Sequence, residues 1–248
     1  MLTFLKLRGF FRISLASAAL FAIGSWQTAS ASRLPTAEEL HRLAPATNTE
    51  TLRLALSALQ CASTQLGGQN RLLTVIDYSK PSRDKRLWVF DLKQRKLLFE
   101  EWVAHGKKSG DDMATSFSNR PESNQSSIGL YQTGQTYSGK HGRSLRLLGL
   151  EPGFNDNSEE RAIVMHAAAY ADPKVVPGLG RLGRSLGCPA VRPQVAQQLI
   201  DTLKNGSYVF AYYPQQQYLR TSQFLAGPSC TVAKNPQINR YATNLARR

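Results

Sequence analysis

Two residues in this chain have the types and the surroundings that acyl transfer needs. Cys188 stands in Arg184-Ser185-Leu186-Gly187-Cys188-Pro189, and His166 ends the apolar run Ile163-Val164-Met165. A thiol beside an imidazole is the minimum apparatus, because the ring can take the thiol proton and leave a nucleophilic thiolate. The same ring can then return the proton to a departing amine. Gly187 is expected to clear the space where a substrate carbonyl approaches. Pro193 suits a first helical turn, and Val195, Leu199 and Leu203 share one helical face, so a helix over 193–204 follows the cysteine. Its N-terminus is expected to offer positive partial charge and N–H groups to a thiolate or an oxyanion. Taken singly, an inert buried cysteine and a core histidine are the commoner readings. Together, in this frame, they point to a nucleophile and its base.

The elements around them divide by period. Residues 32–68 read as helical: Pro35-Thr36-Ala37-Glu38-Glu39 opens one helix, and Leu52, Leu56 and Leu59 mark a second that ends at Gly67-Gly68. From Arg71 the pattern shortens. Strand runs at 72–78, 86–91 and 96–104 predict an antiparallel meander. Residues 105–127 are polar and rich in Gly, Ser, Asn and Asp, a composition expected of a functional loop or lid. Strand signals return at 128–131, 145–148, 161–166 and 207–213, with a loop over 171–184. The expected fold is mainly β with flanking helices. Its catalytic domain would span 69–214, behind an N-terminal helical flank at 32–68, with a basic tail over 215–248.

The formal net charge is +14 and the sequence pI about 10.0. Such a charge suits an anionic partner. Lys6, Arg8 and Arg12, the apolar run 13–23 and Ala29-Ser30-Ala31 read as an export signal cleaved before Ser32. The apolar run is too short for a comfortable span, so no stable membrane span is expected after cleavage. An exported basic protein favours a carboxylate-rich wall polymer over nucleic acid, and no nucleic-acid recognition motif is present. The chain has three cysteines. In an oxidising compartment an odd count suggests one bridge and one free thiol. Cys61 with Cys230 is the expected pair, leaving Cys188 free; three separate thiols are the alternative.

His166, a spacer and Ser185-Leu186-Gly187-Cys188 resemble the L,D-transpeptidase (YkuD-like) family, closest to its murein L,D-transpeptidase catalytic-domain branch. The likeness extends to Val103-Ala104-His105-Gly106, Ser126-Ser127-Ile128-Gly129-Leu130-Tyr131 and Tyr137-Ser138-Gly139-Lys140-His141-Gly142. It implies a YkuD-like β-sandwich, export to the periplasm or cell wall, and peptidoglycan stem peptides as substrate. Cys188 would attack, His166 would move the proton, and a backbone carbonyl would orient that ring. Gly187 and Ser185 would support the oxyanion. Carbapenem-type β-lactams would act as covalent inhibitors, and no metal or organic cofactor would be needed. Arg184, Tyr170, His105, His141 and Lys140 are candidates to line the cleft and hold stem carboxylates. Leu186 stands where most members carry a second histidine, and Ala190 where an Arg or Asn is usual; Arg192 is the nearest base beyond. Water as acceptor would make the protein an L,D-carboxypeptidase, and a vestigial site would leave a wall-binding module. A zinc hydrolase is disfavoured because CxxC, HxH and HExxH are all missing.

Overall fold

Two-residue alternation in the middle of the chain becomes eight strands, and the helical periods on either side become the layers that cover them. The computed structural model describes residues 33–66, 71–140, 142–227 and 230. In chain order the elements are α1 (Ala37–Leu43), α2 (Thr49–Leu66), β1 (Leu72–Asp77), β2 (Leu87–Asp91), β3 (Lys96–Glu101), β4 (Gly129–Gly139) and β5 (Gly142–Gly149). They continue with β6 (Val164–Ala167), the single-turn α3 (Val176–Leu179), β7 (Ala190–Val191), α4 (Pro193–Leu203), β8 (Tyr208–Tyr212) and α5 (Gln216–Thr221). Both N-terminal helices are started by side-chain caps. Thr36 and Glu39 exchange side-chain and backbone hydrogen bonds in a capping box at α1. Asn48 Oδ1 accepts the N–H groups of Glu50 and Thr51 at the start of α2.

The strands bond into one sheet in the order β3-β2-β1-β8-β4-β5-β6-β7. The meander β1-β2-β3 is antiparallel, as the sequence predicts. β1 with β8 and β6 with β7 are parallel pairs. The chain leaving the edge strand β3 then crosses to the other edge. Ala104 N–H donates to the Ala190 carbonyl at 2.8 Å, and Ala190 N–H returns a bond of 3.4 Å. Arg86, buried beneath this crossing, holds it. Its Nε and Nη2 donate to the Val103 carbonyl at 3.0 and 2.8 Å, and Nη1 to the Lys80 carbonyl at 2.8 Å.

Alternation gives each face its own core. Leu73 and Val75, Trp88 and Phe90, and Tyr208 and Phe210 face Leu52, Ala55, Leu59 and Ala62 of α2. The intervening Leu87, Val89, Val209 and Ala211 join Leu145, Met165 and the Ala196, Leu199, Ile200 and Leu203 stripe of α4. Burying each Leu side chain contributes roughly 1.5–3 kcal/mol against full exposure.

Some expectations shift. The third strand ends at Glu101, because Ala104 is needed at β7. β4 runs on to Gly139, with a register irregularity between Thr133 and Thr136. The basic tail, whose sequence shows no clear periodicity, holds α5, with Tyr218 and Phe224 buried. Glu151 anchors it: its carboxylate accepts from Leu130 N–H at 2.6 Å, from Tyr218 Oη at 2.9 Å and from Ser222 Oγ. Cys61 and Cys230 form a disulfide with a Cα separation of 5.8 Å, and Cys188 is free. No described helix is long and apolar enough to cross a membrane. The expected export signal, and the tail beyond residue 230, lie outside the described residues.

Candidate active site

The parallel pair β6–β7 sets the geometry of the chemistry. His166 registers with Ala190, so stepping back two residues along both strands sets Val164 opposite Cys188. The two candidate residues therefore stand one diagonal step apart, His166 on β6 and Cys188 two residues ahead of β7. Val164 N–H points at the Cys188 sulfur at 3.4 Å, and the Ala162 carbonyl lies 3.7 Å from it. The first contact favours thiolate and the second accepts the thiol proton. Ala162 holds this place with φ +48°, a left-handed conformation that costs an alanine about 1 kcal/mol or more. Buried His166 has its Nδ1 2.9 Å from the Ala167 carbonyl. That nitrogen must carry the proton to bond there, which leaves Nε2 as the basic position of the neutral ring.

The cysteine loop is braced by serines. Ser185 Oγ accepts Gly187 N–H at 3.0 Å and donates to the Cys188 carbonyl at 2.6 Å. Ser126 Oγ donates to the Gly187 carbonyl and accepts Gly106 N–H, each at 3.0 Å. Ser185 N–H donates to the His105 carbonyl at 2.9 Å, and its own carbonyl accepts Lys107 N–H at 2.8 Å. Gly187 adopts φ +129°, and a Cβ there would meet the Gln125 carbonyl at 2.8 Å. The glycine thus serves backbone conformation and close packing, where the sequence suggested room for substrate. With Gly187 N–H committed to Ser185, Leu186 N–H and Cys188 N–H make no hydrogen bond among the described residues, and Cys188 N–H is the one on the nucleophile itself. The α4 N-terminus is not at the cysteine either. β7 intervenes, Arg192 is the N-cap residue, and its guanidinium forks onto Glu101 at 2.7 Å.

Charge around the sulfur comes from elsewhere. Burial pushes the Cys188 thiol upward, opposed by Val164 N–H, Arg161 and Lys140. Lys140 sits at the exposed β4–β5 turn, and its charge acts on the sulfur from there. Tyr170, half-buried, is pushed to about 12 by burial and by Cys188, which puts its hydroxyl in the same neighbourhood. Leu186 is 62% exposed on the loop itself.

Three expectations for the cleft change. His105 is fully buried and does not line an open surface. Arg86 Nη2 donates to its Nδ1 at 2.7 Å, and burial with that neighbouring charge pushes the imidazole down to about 4. Arg184 donates to the Gly110 carbonyl at 2.9 Å and pairs with Asp111 at 3.2 Å, so it fastens loop to loop. Of the functional loop or lid expected at 105–127, the structure shows a packed loop: Ser126 N–H donates to Ser109 Oγ and Lys108 N–H to the Asn124 carbonyl. His141 lies outside the described residues. No group of three or more metal-ligating side chains occurs among the described residues.

Comparison with known proteins follows the same lines. No curated protein matches the chain. Among solved structures it is similar to an L,D-transpeptidase from Mycobacterium smegmatis at 15% identity, covering 58% of this chain and 59% of that one, with TM-score 0.36. The LdtMt1 transpeptidase in complex with imipenem is similar at 14% identity, 58% and 59% coverage and TM-score 0.36. The helical cell shape determining protein Pgp2 (K307A mutant) from Campylobacter jejuni is similar at 14% identity, 76% and 59% coverage and TM-score 0.40. The chain thus spans about three fifths of the length of each of these three. Residues 43–212 match the family described as L,D-transpeptidase catalytic domain, and this chain belongs to that family.

Proposed function

We propose that the protein is an exported cysteine acyltransferase acting on peptidoglycan stem peptides. The carrying observation is the placement of Cys188: one diagonal from His166, with an amide N–H and a carbonyl on its sulfur. His166 takes the thiol proton at Nε2. The thiolate attacks the carbonyl of the third stem residue, and Cys188 N–H faces the oxyanion. The amide C–N bond breaks, and His166 returns the proton to the leaving D-alanine amine. A thioester remains. A side-chain amine of a second stem attacks it, losing a proton to His166, and releases the thiolate with a new cross-link. Water in place of the amine gives a shortened stem. Tyr170 and Lys140 line the approach.

The family membership supports the substrate class, and the +14 charge suits a carboxylate-bearing polymer. The export reading rests on residues 1–31 and gains from the Cys61–Cys230 disulfide, which persists in oxidising compartments. We place the catalytic domain at 69–214, with α1 and α2 as its flank. A carbapenem tests the nucleophile. Intact mass is expected to show one adduct on the wild type and none on Cys188→Ala, with acylation falling in acid as the Cys–His pair gains protons. A folded wild type that stays unmodified at saturating drug would contradict the proposal.

A further inference from the structure

We infer that Arg161 is the fixed positive charge of this site: held only by neutral oxygens behind Gly187, its guanidinium stabilises the Cys188 thiolate and holds residues 118–127 in place behind the cysteine loop. The inference rests on Cys188 being the nucleophile. Arg161 is a positioning residue, because it acts through the sulfur and not on substrate.

Its partners carry no charge. Nη1 donates to the Ser118 carbonyl at 2.6 Å and to Ser127 Oγ. Nη2 donates to the Gln125 carbonyl at 2.6 Å and to Ser123 Oγ at 3.2 Å. A Cβ on Gly187 would stand 3.2 Å from Nη2, so the guanidinium lies against the residue preceding the nucleophile. Directly after Arg161 come the Ala162 carbonyl and the Val164 N–H that touch the sulfur. One short segment therefore supplies an acceptor for the thiol, a donor for the thiolate and a cation behind both.

The other arginines near the loop are neutralised: Arg192 by Glu101, Arg184 and Arg181 by Asp111. No carboxylate pairs with Arg161 among the described residues. A half-buried guanidinium held only by neutral acceptors is costly unless an anion forms beside it. The thiolate is that anion. Burial lowers the Arg161 pKa, and Tyr131 and Cys188 act in the opposite direction. The other groups facing the sulfur are Lys140 from the β4–β5 turn, His166 from β6 and the hydroxyls of Tyr170 and Tyr78. Both tyrosines are pushed to about 12 and stay neutral at working pH. Lys140 is exposed, so solvent screens it more than Arg161.

The test reads the thiol and not turnover. Iodoacetamide alkylation of Cys188 is followed by intact mass against pH in wild type, Arg161→Lys, Arg161→Gln and Ser123→Asp. Cys61 and Cys230 are paired, so one thiol reacts. The apparent thiol pKa is expected to rise by about one unit or more in Arg161→Gln and to stay near wild type in Arg161→Lys. Ser123→Asp sets a carboxylate against Nη2, quenches the cation without removing it, and raises the pKa as well. A merely structural Arg161 would lower stability and leave the thiol pKa in place. A wild-type pKa in Arg161→Gln overturns the inference; if that variant does not fold, a wild-type pKa in Ser123→Asp overturns it. Failure of the nucleophile reading shows separately, as turnover retained by Cys188→Ala.

Discussion

At the residue scale, Gly187 is set by what surrounds it. Its φ of +129° is open to glycine and strained for any other side chain, and the Gln125 carbonyl would crowd a Cβ at 2.8 Å. Gly187→Ala is therefore expected to lower Tm by roughly 5 °C, from about 2 kcal/mol of strain in a domain of this size, read by thermal unfolding. An unchanged Tm would mean that the loop tolerates a side chain there. The cysteine, the histidine and their frame were legible because catalytic types stand inside a short motif. Arg161 was not legible. It follows Glu159 and Glu160 in a polar run, and its surroundings come from residues 118–127 some forty positions away. His105 misled for the complementary reason: glycine beside a histidine looks like an open strand end. Nothing local reveals that Arg86, nineteen positions upstream, buries it.

At the scale of elements, alternation fixed most of the strands, while pairing needed three dimensions. β7 has two residues, too few for a period, yet it registers Cys188 with β6. The helix after Cys188 is legible in its spacing, but β7, too short to leave a pattern, separates its N-terminus from the thiol. Glu151 shows how an element is held by a titratable group. It ties α5 to the start of β4, and burial pushes its carboxyl to about 7, against hydrogen bonds from Ser222, Leu130 and Tyr218 that pull it down. The folded state keeps the proton up to about 7, whereas the unfolded chain loses it near 4.5. Stability from this group is thus complete below 4.5, falls as pH rises through 7, and differs by about 3 kcal/mol between those limits. Glu151→Gln is expected to flatten that part of the Tm–pH profile. An unchanged slope in the variant would place the pH dependence in other groups.

At the scale of the whole molecule, two long-range ties hold the site in place. The chain leaving β3 binds β7, so the outer strand of the meander is joined to the strand beside the nucleophile. The Cys61–Cys230 disulfide closes a loop of 169 residues and holds the C-terminal segment on α2, worth about 5 kcal/mol on chain-entropy grounds. Cysteine arithmetic anticipated that bond; the sheet closure had no local signal. The central claim is that this framework presents Cys188 to join stem peptides. The direct test incubates purified disaccharide-tetrapeptide with the full chain and with Cys188→Ala, and reads the products by mass spectrometry. The account predicts a cross-linked dimer, formed with loss of D-alanine, from the wild type alone. The same dimer from folded Cys188→Ala, or no product from folded wild type, would contradict it.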